Sequence, residues 1–470
     1  MNDNTSYDVR IYKTRVVARA KKRPHNVRWA VGRLQRPPFS EYFATSGLAK
    51  SYVSNLTKAM SNGEAFDLDT GLPPSIQRQK LAKQEQVDAV SWLEHAKEYA
   101  AYKWTSGAAN GRRGRADVLR DITVAILPMR DDRPNADNLS VALRRWGFRP
   151  DRDIAGAPQE IQDALTWADK HCPALSILED ADVMRSLLDK LTLKQDGARA
   201  AANYFDRRRS GLYNAGEYAV MKERLVQNPL ENPKLKWNRP PDLKTDNVID
   251  PRAVGDKVQV EEMLTAVTYI GVEQGPRYVA YFGSLYYAML RPEEVADLKE
   301  SQCDLPVEGW GGIVAEGAAP RVGSDWTDDG TPYDVRGLKH RGRKATRYVP
   351  IPPRLVQLLR DHIRRYGTGP DGRIFRTIRG NPYSVKEAGR VWAKARKFGL
   401  SPAKQQTPLL EWIYLLRASG ISWRRAAGVP VKEVAEWAGH SPAVQERHYS
   451  RVLTGLEDHW KRRMDTFMNA

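Results

Sequence analysis

Two polar, proline-bearing segments interrupt the hydrophobic pattern of this chain and limit what it can fold into. Residues 67–85 contain Gly71-Leu72-Pro73-Pro74, and residues 228–257 contain four prolines between positions 229 and 241. Such segments favour turns and linkers over regular elements. Because 470 residues exceed what one hydrophobic core supports, we expect a multidomain protein, mainly α-helical with small β-sheets. The expected domains are residues 1–66, 86–227 and 258–470.

The net charge of the chain limits the range of candidate binding partners. Lys and Arg number 75 against 57 Asp and Glu, a net charge of +18, and the first candidate partner for so basic a soluble protein is nucleic acid. No run of about 18 apolar residues and no charged-then-apolar leader is present. We therefore expect a soluble, cytoplasmic protein without a membrane partner. The two distant cysteines, Cys172 and Cys303, exclude a disulfide framework and a thiolate zinc site.

The first 66 residues are unusually basic, with 12 Lys and Arg against 4 Asp and Glu. Short β-type runs followed by a helical run predict a small module that inserts a sheet into a DNA groove. A small solvated β domain with a basic face is the alternative. The predicted strands are Val9–Val17, Val27–Gly32 and Tyr42–Ser46, and the predicted helix is Leu48–Ala59. The candidate DNA contacts are Lys21, Lys22, Arg23 and Arg28.

From Gln86 the apolar residues recur at helical spacing, which predicts an all-helical second domain. Predicted helices include Glu160–Trp167, Asp180–Leu191 and Ala198–Arg208. Runs of arginine in this domain could contact phosphates, although a solvated turn is the more common role of such a run. These runs are Arg112-Arg113, Arg144-Arg145 and Arg207-Arg208-Arg209.

The first half of the third domain carries two pieces of chemical interest. Arg291 stands at a predicted helix start with Glu294 one turn later, a pair that is also common on helix surfaces. Residues 337–351 are two β-type runs around a basic, glycine-containing turn, which predicts a hairpin with Lys339 on its first strand. Such a tip fits a DNA groove, and an exposed soluble hairpin is the alternative. The candidate contacts at this tip are Arg341, Arg343 and Lys344.

The second half of the third domain carries two more pieces. Tyr414-Leu415-Leu416-Arg417 leads into a predicted helix, and Gly439-His440 follows another. Tyr449 lies nine residues beyond His440. Taken singly, a tyrosine near a C-terminus usually serves packing, and a histidine after glycine usually belongs to a helix cap or a core.

In this order, the four pieces closely resemble the catalytic domain of the tyrosine recombinases, the phage integrase family. The resemblance covers residues 258–455 and is most specific over residues 428–441. The three-part organisation is similar to integrases that combine an N-terminal arm-type DNA-binding module, a helical core-binding domain and a mixed α+β catalytic domain. One motif departs from the family pattern, since the usual His-x-x-Arg-His reads Tyr414-x-x-Arg417-Ala418 here.

The resemblance implies that Tyr449 attacks a DNA phosphodiester and forms a 3′-phosphotyrosyl link with a free 5′-hydroxyl. Charge builds on the nonbridging oxygens in the transition state, so preorganised cations lower the barrier. Arg291 and Arg417 suit this role because a guanidinium is permanently charged and can hold two oxygens at once.

The remaining roles also follow from the resemblance. Lys339 would protonate the 5′-oxygen leaving group, and His440 and Tyr414 would add further hydrogen-bond donors. Glu294 would orient Arg291 or the base that assists it. Because the phosphotyrosyl link conserves the bond energy, rejoining would need no ATP, metal or other cofactor.

Full recombination joins two duplexes through four cleavages, which implies a homotetramer on core and arm attachment sites. The expected activity is integration and excision of a mobile element, with DNA-bending and excision-directing accessory proteins as possible partners. The apolar face of the tail, residues 452–467, would dock on a neighbouring subunit or on its own domain. Two alternatives stay open: a catalytically weak DNA-binding protein of the same fold, and a type IB topoisomerase that acts as a monomer.

Overall fold

The computed structural model is mainly helical with small β-sheets, which confirms the predicted fold class. It describes residues 4–17, 24–32, 37–80, 90–243, 249–337, 346–449 and 457–468. The chain forms two compact units. The first comprises Met1–Thr105 with Ala116–Arg239, and the second Ser106–Arg115 with Pro240–Ala470. Among the helices so described, none combines the length and apolar character needed to cross a membrane.

The first unit begins with a small sheet-and-helix module. Its elements are β1 (Thr5–Ser6), β2 (Val9–Val16), β3 (His25–Val31), β4 (Phe39–Phe43), α1 (Ser46–Ser61) and β5 (Phe66–Asp67). Strands β2, β3 and β4 form an antiparallel sheet in that order, and β1 pairs with β5. Alternation along β3 buries Val27 and Trp29 in one core with Leu56 of α1. Thr45 caps α1 by accepting the Leu48 N–H at 3.3 Å.

The module continues beyond residue 66. Ile76 is buried in the same core, and residues 74–80 are helical. The backbone at Gly71 takes φ 72°, and its carbonyl accepts the Trp29 Nε1–H at 2.6 Å. A Cβ at Gly71 would lie 2.5 Å from the Phe39 ring. The linker predicted at 67–85 is therefore wrong over residues 67–80, because the apolar residues between its prolines complete a core.

Helices make up the remainder of the first unit, as predicted. They are α2 (Trp92–Tyr102), α3 (Ala109–Ile126, whose first residues belong to the second unit), α4 (Ala136–Ala142), α5 (Gln159–His171), α6 (Ala181–Leu191) and α7 (Ala202–Met221). The helices predicted at 160–167 and 180–191 are confirmed within slightly different bounds. The one predicted at 198–208 starts at residue 202 and continues to 221.

Two arginines considered as phosphate contacts are buried instead. Arg208 donates to the Asp121 carboxylate at 2.7 Å and to the Leu191 carbonyl at 2.9 Å. Arg112 is buried within the second unit and pairs with Asp328 at 2.5 Å. Neither can reach DNA in this fold. Sequence alone could not separate these arginines from their solvated neighbours, because their acidic partners are distant in the chain.

The second unit combines short strands with a larger set of helices. Its strands are β6 (Cys303–Asp304), β7 (Gly311–Ala315), β8 (Gly317–Ala318), β9 (Arg336–Gly337) and β10 (Arg347–Ile351). Its helices are α8 (Lys257–Thr268), α9 (Gln274–Tyr287), α10 (Pro292–Ala296), α11 (Pro353–Tyr366), α12 (Val385–Gly399), α13 (Pro402–Gln405), α14 (Tyr414–Ala426), α15 (Val431–Ala438), α16 (Pro442–Tyr449) and α17 (Glu457–Met468). Helix α9 is central: Tyr281, Phe282 and Leu285 are fully buried, and α8, α11 and α14 pack around it.

The hairpin predicted at 337–351 lies mostly outside the described residues, which include only its two ends. Strand β9 pairs with β8, with Gly337 opposite Gly317, and β10 pairs with β7, with Arg347 opposite Ala315. The described ends of this stretch therefore pair with residues 311–318. The local sequence pattern contained no sign of these partner strands.

The buried ion pair of the first unit gives a stability prediction. Asp121→Asn should leave the Arg208 charge buried without a counter-charge and lower the free energy of unfolding by about 3 kcal/mol. Asp169→Asn is the matched control, because its ion pair with Lys97 is partly exposed to solvent, and it should cost less than about 1 kcal/mol. Urea denaturation of the full chain measures both, and equal losses would contradict the structural difference between the two pairs.

Candidate active site

The second unit brings together residues from all the described pieces of the predicted site. Arg291, Glu294, Arg417 and His440 converge around the end of α15, and Tyr414 lies beside Arg417. Several predicted residues fall outside the described part of the chain: Lys21, Lys22, Arg23, Lys339, Arg341, Arg343 and Lys344. Tyr449 is the last residue of α16, and its side chain also falls outside the description.

Arg291 and Glu294 form the start of α10. Pro292 occupies the first helical position, where a missing N–H costs nothing. The Glu294 carboxylate accepts the Arg291 backbone N–H at 2.9 Å through Oε2 and the Arg291 Nη1–H at 2.7 Å through Oε1. The arginine is therefore held at its backbone and at its guanidinium by one carboxylate. About a fifth of the Arg291 side chain stays exposed, which leaves donors for a ligand.

Arg347 belongs to the same cluster, although it is not among the residues predicted for the site. Its Nη2 donates to Glu294 Oε2 at 2.7 Å and its Nη1 to Oε1 at 3.3 Å. It is only 2% exposed. A signal was present in the alternation of β10, which places Arg347 on the same face as Val349 and Ile351. An arginine on a buried strand face requires a buried acid.

The charge state of Glu294 follows from these neighbours. Burial raises the pKa of the carboxyl, but the charge and hydrogen bonds of Arg347 and the charges of Arg291 and Arg417 more than offset it and hold the pKa at about 2. Glu294 is thus ionised throughout the neutral range. Three guanidiniums and one carboxylate leave a net charge of +2 at the cluster, which favours binding of an anion in a partly desolvated setting.

Arg417 lies deeper than Arg291. It is fully buried on the first turn of α14, where its Nη1 donates to the Met289 carbonyl and its Nη2 to the Ala438 carbonyl at 2.5 Å. Met289 adopts φ 52°, a conformation that non-glycine residues rarely take and that is common near functional sites. Two backbone carbonyls thus hold the Arg417 guanidinium, and its side chain has no exposed surface in this structure.

The turn of residues 438–440, called the Gly439 turn below, joins these groups. Helix α15 ends at Gly439, whose φ of 72° closes the helix in the left-handed region. The Gly439 carbonyl accepts the Arg291 Nη2–H at 2.6 Å, next to the Ala438 carbonyl that holds Arg417. Carbonyls at a helix C-terminus lack helical partners and favour cations. Both arginines are therefore fixed on consecutive carbonyls of one helix end.

The guanidiniums of Arg347 and Arg291 can approach Gly439 closely because this residue has no side chain. A Cβ there would overlap Nη1 of Arg347, with Cζ at 3.0 Å, and would lie 3.3 Å from Nη1 of Arg291. His440, which follows directly, is half-buried and donates its backbone N–H to the Ala435 carbonyl at 3.1 Å. The Gly439 turn thus fixes the guanidiniums of Arg291 and Arg417 and also contains His440.

Tyr414 and Tyr449 belong to two further helices of the second unit. Tyr414 begins α14, is 40% exposed, and its ring centre lies 5.9 Å from Cζ of Arg417. Tyr449 ends α16, which follows the Gly439 turn after a short connection. The hydroxyl of Tyr414 can donate to a ligand at the surface, above the buried charge of Arg417.

No family model matches the chain, and no curated protein is similar to it at a significant level. Solved structures of tyrosine recombinases are similar. The Tn1549 transposon integrase in complex with a circular intermediate DNA has 13% identity over 69% of this chain and 99% of its own, with a TM-score of 0.46. The XerH site-specific recombinase bound to its difH substrate has 12% identity over 76% and 96%, with a TM-score of 0.44. The DNA-bound lambda integrase has 13% over 63% and 90%, with a TM-score of 0.38.

Substitution of the turn glycine tests this geometry. Gly439→Ala should lower the free energy of unfolding by about 1–3 kcal/mol, because alanine disfavours a positive φ and its Cβ displaces Arg347. The control is Gly389→Ala on α12, where a Cβ meets open space, and this change should raise stability by about 0.5–1 kcal/mol. Urea denaturation compares the two, and a neutral Gly439→Ala would show that the turn tolerates a side chain.

Proposed function

We propose that this protein is a site-specific tyrosine recombinase that cuts and rejoins DNA to integrate and excise a mobile element. One observation carries the proposal: Arg291 and Arg417, 126 positions apart in the sequence, rest on consecutive carbonyls of the Gly439 turn. This turn leads within one short connection to the helix that ends at Tyr449. A phosphate-binding cluster and a tyrosine on the next helix are the parts that such chemistry requires.

The reaction begins with attack by the Tyr449 hydroxyl oxygen on a DNA phosphorus atom. As the O–P bond forms, the phenol gives its proton to water, and the bond from phosphorus to the 5′-oxygen breaks. The products are a 3′-phosphotyrosyl link and a free 5′-hydroxyl. Lys339 supplies the proton that the departing 5′-oxygen takes up. Reversal of the same steps by another 5′-hydroxyl rejoins the strand, so the bond energy is conserved and no ATP or metal is needed.

The described residues divide the work of stabilising charge. Arg291 uses its exposed edge to bind a nonbridging oxygen, while the buried charge of Arg417 lowers the energy of the same anion from below. Tyr414 and His440 donate hydrogen bonds to the phosphate. Glu294 keeps Arg291 in place without neutralising the site, since the cluster retains its net positive charge.

Exchange between two duplexes requires four cleavages and hence four copies of Tyr449, so the active form is a homotetramer on the attachment sites.

The N-terminal module supplies contacts to separate arm sites. Cross-strand pairing places Tyr12, Arg28 and Ser40 side by side on the face of the sheet opposite Trp29. The exposed Arg10 extends this face, and Cζ of Arg28 lies 5.4 Å from the Tyr12 ring centre. A basic, aromatic sheet face of this kind suits a DNA groove.

Formation of the covalent link is the direct test of the activity. The probes are nicked suicide duplexes tiled across the DNA that flanks the gene, with the nick at each position in turn. The parent chain should form a protein–DNA adduct that persists in denaturing gels, and Tyr449→Phe should form none because it lacks the attacking oxygen. Tyr269→Phe, which removes a hydroxyl from an exposed tyrosine, should leave the adduct unchanged.

The same probes separate the alternatives. Tight binding without an adduct would mean that the chain binds DNA but does not cleave it. Relaxation of any supercoiled plasmid by the monomer would instead indicate a type IB topoisomerase.

The role of the N-terminal module is tested on its sheet face. Arg10→Gln and Arg28→Gln should weaken binding to the flanking duplexes that are bound without being cleaved, and should reduce the salt dependence of that binding by about one counterion per lost phosphate contact. Mobility-shift titrations at two salt concentrations measure this. Lys58→Gln makes the same charge change on α1, away from the sheet face, and should have no effect. An equal loss in Lys58→Gln would show that net charge alone matters.

A further inference from the structure

The position of Arg347 is costly for a residue that serves only packing. It is 2% exposed on the face of β10 that also carries Val349 and Ile351, both fully buried. An apolar side chain of similar volume would fill this place without the desolvation penalty of a charge. The arginine therefore requires an explanation in what it contacts.

Arg347 donates both of its side-chain hydrogen bonds to the Glu294 carboxylate. Glu294 accepts four hydrogen bonds: two from Arg347, at 2.7 and 3.3 Å, and two from Arg291, at 2.9 and 2.7 Å. Each carboxylate oxygen is shared between the two arginines. Rotation of the carboxylate would break several of these bonds together, so its plane is fixed.

Arg347 also lies next to Gly439, the second residue that holds the Arg291 guanidinium. The Arg291 guanidinium donates to the Gly439 carbonyl, and Arg347 lies so close to Gly439 that no side chain fits between them. Arg347 thus adjoins both groups that hold Arg291. Because it is itself buried, it has no surface with which to contact DNA.

We propose that Arg347 is a positioning residue, which fixes Glu294 and borders the Gly439 turn so that the Arg291 guanidinium meets the phosphate in one orientation. The proposal rests on the recombinase function proposed above. Arg347 acts on the rate of strand cleavage and not on DNA affinity. Misplacement of a catalytic group by about 1 Å can reduce a rate by about 100-fold.

The test uses single-turnover cleavage of the suicide duplex that forms an adduct with the parent chain. Arg347→Met should slow cleavage by about 10- to 100-fold, with a Kd for the same duplex within about twofold of the parent. Arg347→Lys should recover part of the rate, because it keeps the charge but loses the two-pronged geometry. Rates are normalised to the folded fraction measured by circular dichroism.

A double-variant cycle isolates the route of the effect. If Arg347 acts through Glu294, Arg347→Met combined with Glu294→Gln should cleave no more slowly than Glu294→Gln alone, whereas independent effects would multiply. Arg373→Met is the matched control. This change breaks the ion pair between Arg373 and Asp297, in which Nη2 lies 2.7 Å from Oδ1. Asp297 directly follows α10, and the change should leave the cleavage rate per folded molecule unchanged.

The outcomes distinguish the two proposals. Absence of an adduct with the parent chain overturns the recombinase function itself. An adduct with the parent chain, together with parental rates for Arg347→Met, multiplicative losses in the double variant, or an equal loss in Arg373→Met, overturns the positioning role alone. Should Arg347→Met fail to fold, Arg347→Lys in the same cycle gives the same decision.

Discussion

The buried carboxylate of Glu294 is the interaction on which the site depends. A carboxylate removed from water is stable only when cations surround it, and here Arg347 and Arg291 bind it directly. A single buried negative charge thus fixes the positions of the positive charges that would bind a phosphate. Removal of that charge would leave guanidiniums that repel one another at close range.

Helix ends provide the second layer of organisation. The carbonyls of Ala438 and Gly439 at the end of α15 accept from Arg417 and Arg291, and the Met289 carbonyl just past α9 accepts from Arg417 as well. Carbonyls at or just beyond a helix C-terminus lack helical partners, so the arginines satisfy them and are oriented by them. The site is therefore built from backbone groups that the fold must satisfy in any case.

The sequence predicted the parts of the site better than their depth and connections. Arg291, Glu294, Arg417 and His440 meet as the family resemblance implied, and several of the strands and helices lie close to their predicted ranges. What local patterns missed were pairings over long sequence separations: the partner of β10 is β7, the partner of Arg208 is Asp121, and Arg417 is covered by carbonyls from α15 and from the chain after α9. The alternation of β10 indicated that Arg347 is buried but could not identify its partner, because Glu294 lies 53 residues away in the sequence.

The pairing of β9 and β10 with one continuous stretch has a consequence for how such a chain can change. Gly337 lies opposite Gly317 in a two-stranded sheet, and Arg347 lies opposite Ala315 in a three-stranded sheet. The two ends of the segment between them are thus fixed opposite positions only two residues apart. Residues could be added to or removed from that segment without shifting the register that places Arg347 against Glu294. Differences in the length of this segment that retain Lys339 would thus leave the charge cluster unchanged.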